Sequence, residues 1–147
     1  MQVKSFNELS PEELYQILRL RAEVFIVEQG QPYQDIDNKD QDSLHVFEIK
    51  DGQAIAYTRI YEIEDGRVSF GRVVTAKDAR GHGLGRRLMD TVMDTIAQHY
   101  PDKEIMINAQ KPVVGLYEKF GFKSQSKPFL LEGRRHVVMT HSPSQGN

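Results

Sequence analysis

The sequence predicts an α/β (α+β) domain: a mixed, mostly antiparallel sheet of about six or seven strands with a central parallel pair, flanked by about four helices. Three observations carry this. Leu44 to Lys50, Ala54 to Ile63 and Arg67 to Thr75 are β-prone runs separated by Asp51-Gly52 and Asp65-Gly66, both strong hairpin dipeptides, so three strands form an antiparallel meander. The third run feeds through a glycine-rich loop into Leu88, Val92, Ile96 and Tyr100, with Met89 and Met93 alongside, a long amphipathic helix ended before Pro101. Glu104 to Gln110 is then a short buried strand, and strand, helix, strand implies a right-handed crossover that sets it parallel to the strand before the loop.

The remaining elements follow from local signals. Val3 to Phe6 reads as a short edge strand. Ser10-Pro11-Glu12-Glu13 reads as a helix start, with Ser10 as N-cap, Pro11 in the first turn and Glu13 closing a capping box. Leu14, Ile17, Leu18, Arg21 and Phe25 continue that helix to about Phe25 with its apolar stripe in the core. From Val27 to Ser43 the pattern breaks into a loop carrying Glu28, Asp35, Asp37, Asp40 and Asp42 against one lysine. A loop this long in a small domain suggests a lid or a substrate rim, the plain alternative being a solvated acidic linker. Pro112 opens a short helix through Phe120 that Gly121 stops in a left-handed conformation. Lys123 to Leu131 and Arg135 to Thr140 form a final hairpin around Glu132-Gly133. Met89 and Met93 lie on the apolar stripe and read as core.

Composition narrows the function classes. At 147 residues and 39% hydrophobic, the chain is large enough for one domain with a real core, expected over residues 1–141 with a disordered polar tail over 142–147. Nineteen basic against 21 acidic residues leave net charge −2, so no global field draws the protein to nucleic acid or an anionic membrane. With no cysteine there are no disulfides, no thiolate metal site and no cysteine nucleophile. No metal is expected. No apolar run approaches the roughly 20 residues of a membrane helix, and the start lacks an apolar signal region, so the expectation is a soluble, cytoplasmic protein.

Val73 to Leu88 carries the chemistry. Three glycines between a strand and a helix let backbone approach a ligand, free N–H groups at the helix start favour an anion, and Arg80, Arg86 and Arg87 add positive charge. The plain alternative is an ordinary strand-to-helix turn. A P-loop would need Gly-Lys-Ser/Thr where this chain has Gly85-Arg86-Arg87, and the dinucleotide fingerprint would need glycine at 86 or 88, occupied by Arg86 and Leu88. Arg80-x-x-Gly83-x-Gly85 instead resembles the acyl-CoA pyrophosphate loop of the GCN5-related N-acetyltransferase (GNAT) superfamily. Asn108-Ala109-Gln110 followed by Leu116-Tyr117-Glu118-Lys119-Phe120-Gly121-Phe122 resembles that superfamily's second motif, and the order of elements is similar to the GNAT fold along nearly the whole chain. Leu20-Arg21-x-x-Val24-Phe25-x-Val27-Glu28-Gln29, Arg72-Val73-Val74 and Ala109-Gln110 look like the ElaA-like subgroup. No proline precedes Arg80, where many relatives have one, and Lys111-Pro112 is a local variant.

The resemblance implies transfer of an acetyl group from acetyl-CoA to a primary amine of a small molecule or peptide, by direct attack, in a monomer or homodimer. It assigns Val73, Val74 and Thr75 to the pantetheine arm, the amides of Arg80, Gly81, His82, Gly83, Leu84, Gly85 and Arg86 to the pyrophosphate, and Tyr117 to protonating the leaving thiolate. Asn108 is expected to bond the cofactor or order its strand. Unpaired backbone groups between splayed parallel strands would suit a pantetheine amide, so a splay between Arg72 to Thr75 and Ile105 to Ala109 is expected. Candidates for the base and the acceptor site are Glu28, which would act directly or through water if burial raised its pKa, His45 and His136. Arg59 and Arg72 interrupt apolar strand patterns and either pair with nearby carboxylates or anchor a substrate carboxylate. The acidic loop favours a cationic or lysine-type acceptor. Two rival readings are a non-catalytic acyl-CoA-binding module on the same fold and nucleotide binding at the glycine loop.

Overall fold

The structure, a computed structural model, describes residues 1–143; from residue 144 on, the expected disordered tail lies outside the described residues. Eight strands form one sheet: β1 (Gln2–Ser5), β2 (Leu44–Lys50), β3 (Gln53–Glu62), β4 (Val68–Thr75), β5 (Ile105–Gln110), β6 (Lys123–Ser124), β7 (Phe129–Leu131) and β8 (Arg134–His141). They lie in the order β1-β2-β3-β4-β5-β8-β6, with β7 also on β8. The helices are α1 (Pro11–Arg21), α2 (Leu84–His99) and α3 (Val114–Lys119). No described helix is long and apolar enough to cross a membrane.

Local chemistry sets most boundaries. Ser10 Oγ accepts from Glu13 N–H at 3.0 Å while Glu13 Oε1 accepts from Ser10 N–H at 2.8 Å, a reciprocal cap on α1. Asp51-Gly52 and Glu132-Gly133 turn β2 into β3 and β7 into β8 with both residues at positive φ, the geometry of two-residue hairpins. Gly121, at φ +92°, ends α3 in a Schellman motif: its N–H bonds Glu118 C=O at 3.1 Å and Phe122 N–H bonds Tyr117 C=O at 3.1 Å.

Two expectations change. The first helix does not stop near Phe25; beyond Arg21 it widens into π-turns through Glu28, with Gln29 N–H on Val24 C=O at 2.9 Å. The widening buries Val24 and Phe25 together. The expected single strand from Lys123 to Leu131 is broken between β6 and β7, which is why the strands number eight. At the break Ser126 Oγ replaces a backbone carbonyl as acceptor for Val138 N–H, at 2.9 Å, and Pro128 has no N–H to give.

A core lies on each face of the sheet. Leu84, Leu88, Met89, Val92 and Ile96 of α2 pack on Val46, Ile60, Phe70, Ile105, Ile107 and Met139, with Tyr117 and Phe122 closing that core at α3. Ile17, Leu20, Val24 and Phe25 cover the other face against Phe47, Tyr57 and Val74. Met89 is fully buried and Met93 packs at the edge of the same core.

The sheet opens where β4 meets β5. The two strands are parallel and register only at Val68 with Ile105, where Val68 N–H bonds Glu104 C=O at 3.0 Å. On its other side β4 carries a bulge: Arg59 pairs with Gly71 and Tyr57 with Val74, so Arg72 and Val73 face Thr58 alone, with Arg72 at φ +52°. A bulge bends its strand and increases its local twist, which turns the end of β4 away from β5. β5 is meanwhile held along its length by β8, from Ile105 with His141 to Gln110 with His136.

Candidate active site between the splayed strands

The gap between β4 and β5 is a cleft of about 330 Å³. Gly71 to Thr75 form one wall, Ile107, Asn108 and Gln110 the other, and Tyr117 lines it as well. On the β3 side Val74 and Thr75 are in register with Tyr57 and Ala56, while toward β5 the end of β4 faces the cleft without a strand partner. Backbone polar groups left this way call for a partner.

At the end of β4 the chain makes a short turn, Lys77–Ala79, and reaches the glycine loop. Gly81 and Gly83 stand at φ +87° and +74°, which a residue with a Cβ adopts only at a cost, and Gly83 is the N-cap of α2 without any capping side chain. The amides at the start of α2 therefore have no partner inside the helix, the first recorded bond of this turn being Arg87 N–H to Gly83 C=O at 3.1 Å. A Cβ built on Gly81, Gly83 or Gly85 would meet nothing within 4 Å, so the space over the loop is open. His82 and Arg86 are exposed, and Leu84 is buried and pins the loop to the core. Free amides and the helix dipole make this loop, which begins at the cleft-lining Arg80, attractive to an anion.

The Arg80 side chain is already engaged. It donates to Thr75 C=O from Nε at 3.2 Å and Nη2 at 3.0 Å, and it grips both Glu28 oxygens at 2.6 and 3.0 Å. That hydrogen-bonded guanidinium holds the Glu28 carboxyl below its ordinary range. Glu28 therefore lacks the raised pKa expected of a base; it is half of a clasp between the end of the first helix and the loop.

Tyr117 is 4% exposed, with its ring against Phe70 and Phe122 at centroid distances of 5.9 and 6.0 Å. Burial alone pushes its phenol well above the usual value, so the hydroxyl stays protonated. Asn108 alternates with the core residues Ile107 and Ala109, and His136 with Val137 and Met139, so both project from the face opposite α2 and α3. His136 lines the cleft, and its Nδ1 lies 2.8 Å from Arg134 C=O. A carbonyl can only accept, so in the neutral ring the proton sits on Nδ1 and the lone pair on Nε2.

The other acceptor-side expectations divide. Arg21 and Arg59 are buried, and aspartates of the acidic loop turn inward to meet them. Arg21 bonds Asp35 at 3.0 Å and Asp40 at 2.9 Å; Arg59 bonds Asp37 at 2.6 Å and Asp40 at 2.9 Å. Arg59 is thus a pairing residue that does not reach the cleft. Arg72 does reach it, with its guanidinium over the Tyr33 ring at 5.2 Å. It bonds Asp37 at 3.3 Å, and its Nε stands 2.8 Å from Asp35 off the N–H direction, an ion contact rather than a hydrogen bond. His45 is sealed in the second core, with Nε2 on Asp40 C=O at 2.8 Å and Nδ1 on the Tyr57 hydroxyl at 2.6 Å. It does not line the cleft, and burial lowers its pKa.

The loop is therefore neither a free acidic rim nor a solvated linker; buried guanidiniums need counter-charges, and Asp35, Asp37 and Asp40 supply them. Sequence reasoning did not single out Tyr33 or Arg134, which also line the cleft. Strand alternation would have found Arg134, two residues before His136 and on its face. Tyr33 had no periodic signal. Among the described residues no cluster of three or more His, Cys, Asp or Glu is arranged to hold a metal.

The profile of the acetyltransferase (GNAT) domain family matches residues 6–142. Over 143 residues the chain is 36% identical to protein ElaA of Escherichia coli, covering 95% of this chain and 94% of that protein. The crystal structure of Escherichia coli ElaA superposes with a TM-score of 0.90, covering 96% of this chain and 97% of the other. An acyl-CoA N-acyltransferase from Pseudomonas aeruginosa superposes with a TM-score of 0.91 at 34% identity, with the same coverage of 96% and 97%.

Proposed function

Because the chain belongs to the GNAT acetyltransferase family, we propose that it moves an acetyl group from acetyl-CoA to a primary amine by direct attack, residues 1–141 being the catalytic domain. One observation carries this reading: the unpaired edge of β4 shares one cleft with Tyr117 and with Arg80, at which the open amide loop begins. The chain's residues fit the donor. Backbone groups of Val73, Val74 and Thr75 take pantetheine amides as an added strand would, and the amides from Arg80 to Arg86 take the pyrophosphate. Bound acetyl-CoA supplies an acyl group activated as a thioester.

Tyr117 holds its proton on the cleft side of α3. A thiol of ordinary pKa ~8.5 is more acidic than this phenol, so full proton transfer to a departing thiolate is uphill; the hydroxyl acts chiefly as a hydrogen-bond donor to the sulfur. On the opposite face His136 Nε2 offers the lone pair that takes the proton of the attacking amine, and Asn108 orients groups between them. The protein acts as a monomer or a homodimer. A cytoplasmic location suits an acyl-CoA-dependent enzyme.

The test is acetyl-CoA turnover, read as free thiol, across amino acids, polyamines, amino sugars and peptides. Tyr117→Phe is expected to lower kcat about 10- to 100-fold, at or below the low end of general-acid effects, with acetyl-CoA affinity within about twofold. An unchanged kcat removes Tyr117 from the mechanism. Tight acetyl-CoA binding without thiol release on any acceptor makes the protein an acyl-CoA-binding module instead.

A further inference from the structure

Resting on acyl transfer at this cleft, we infer that the acceptor amine also carries a carboxylate and that Arg134 holds it. Three arginines line the cleft: Arg72, Arg80 and Arg134. Arg72 is met by Asp35 and Asp37, and Arg80 by Glu28. Arg134, half-buried at the start of β8, is the one without a carboxylate partner among the described residues. Its recorded bond is a long one, 3.3 Å from Nη2 to the neutral Gln29 C=O, which leaves most of its five N–H donors unused. Glu132, the acidic residue among those lining the cleft, is exposed in the β7–β8 turn and forms no ion pair with it.

The placement fits an acceptor rather than the donor. Arg134 shares its strand face with His136, opposite the face on which Tyr117 packs, and its guanidinium reaches Gln29, beside the Glu28–Arg80 clasp. A carboxylate gripped by this guanidinium directs the amine of the same molecule toward His136 and the gap between the strands. The charge balance points the same way. Asp35, Asp37, Asp40 and Glu28 are all paired with arginines, so these carboxylates are not free to meet a cationic acceptor. That removes the ground for the cationic acceptor suggested by the acidic loop, and a guanidinium without an ion-pair partner matches a molecule with both an amine and a carboxylate, such as a free amino acid. A planar guanidinium is the side chain best shaped to grip a carboxylate through two parallel hydrogen bonds.

The experiment compares each amino acid with its decarboxylated amine, lysine against 1,5-diaminopentane and leucine against 3-methylbutylamine, in wild type, Arg134→Gln and Arg134→Lys. The expected result is that the preference in kcat/KM for the carboxylate-bearing member falls about 10- to 100-fold in Arg134→Gln, the effect of losing a charge-assisted bond, with partial recovery in Arg134→Lys. The KM for acetyl-CoA stays unchanged. Comparing ratios across variants cancels the intrinsic difference in amine basicity, and a residue that merely tethered Gln29 would affect both members alike. A preference equal in wild type and Arg134→Gln overturns the inference, as does a rise in acetyl-CoA KM in place of the acceptor effect. If no acceptor releases thiol, calorimetric titration of the same pairs into the CoA-saturated protein decides the matter. An amino acid binding wild type at least tenfold tighter than Arg134→Gln sustains the carboxylate site while acyl transfer falls; no difference overturns the site.

Discussion

Asp40 Oδ1 accepts from Arg21 and from Arg59, both at 2.9 Å, and is the one atom common to the two buried guanidiniums. Asp40→Asn keeps the shape and removes the charge, leaving three arginines against Asp35 and Asp37. Leaving a buried charge uncompensated costs about 3 to 5 kcal/mol, so the urea midpoint should drop steeply. Glu23→Gln, which removes the exposed partner of Arg19, should cost less than about 0.5 kcal/mol in the same assay. Equal losses would mean that burial does not govern these pairs. From sequence alone, Arg59 and Arg72 read as pairing residues first, with a substrate-carboxylate anchor as the alternative. Arg59 is resolved as pairing by Asp37 and Asp40, nineteen or more residues away, a distance over which no local pattern reports. Glu28 was legible as a residue near the site, but its partner Arg80, 52 residues on, sets its ionisation.

The elements were the most legible level, because caps and turns act over a few residues. Ser10→Ala removes the side-chain half of a reciprocal cap and should cost about 1 kcal/mol of stability. Gly121→Ala should cost more. It places a side chain at φ +92° and sets its Cβ 3.1 Å from His141, in the turn that fixes the C-terminal end of the Tyr117 helix. A left-handed residue alone costs roughly 1 to 2 kcal/mol. Hydrogen exchange across 114–122 should accelerate in Gly121→Ala and not in Ser10→Ala. Two elements were misread for a shared reason: the widening of the first helix and the break between β6 and β7 replace regular backbone bonds with one-off partners, Val24 C=O and Ser126 Oγ. Periodicity carries no sign of either.

For the whole molecule, stability should peak between about pH 6.5 and 10. Burial lowers His45, so the unfolded chain takes up a proton first as pH falls below about 6.5, and stability declines from there. Burial would raise Asp37, but the hydrogen bonds and charge of Arg59 outweigh it and hold the carboxyl well below its ordinary range. Its contribution is complete above the unfolded pKa of about 4 and is lost as pH falls further, so the decline should steepen there. Burial raises Tyr33, Tyr57 and Tyr117, so stability should also fall above about pH 10, where the unfolded chain ionises first. Urea midpoints against pH test all three limbs. Acetyl-CoA at a hundred times its Kd should add about 2.7 kcal/mol, and ATP or NAD nothing; protection by the nucleotides alone would move the glycine loop to that class of ligand. The amino-acid sequence by itself determined the meander, the crossover, the capped helices and the glycine loop, because hairpin dipeptides, caps and hydrophobic periods are short-range interactions written in neighbouring residues. Only the tertiary structure decided that the acidic loop folds inward on three arginines, that a bulge in β4 lies opposite Thr58, and that Arg134 has no ion-pair partner among the described residues. Each of those depends on which distant charges and strand edges satisfy one another, and that is settled by packing in three dimensions.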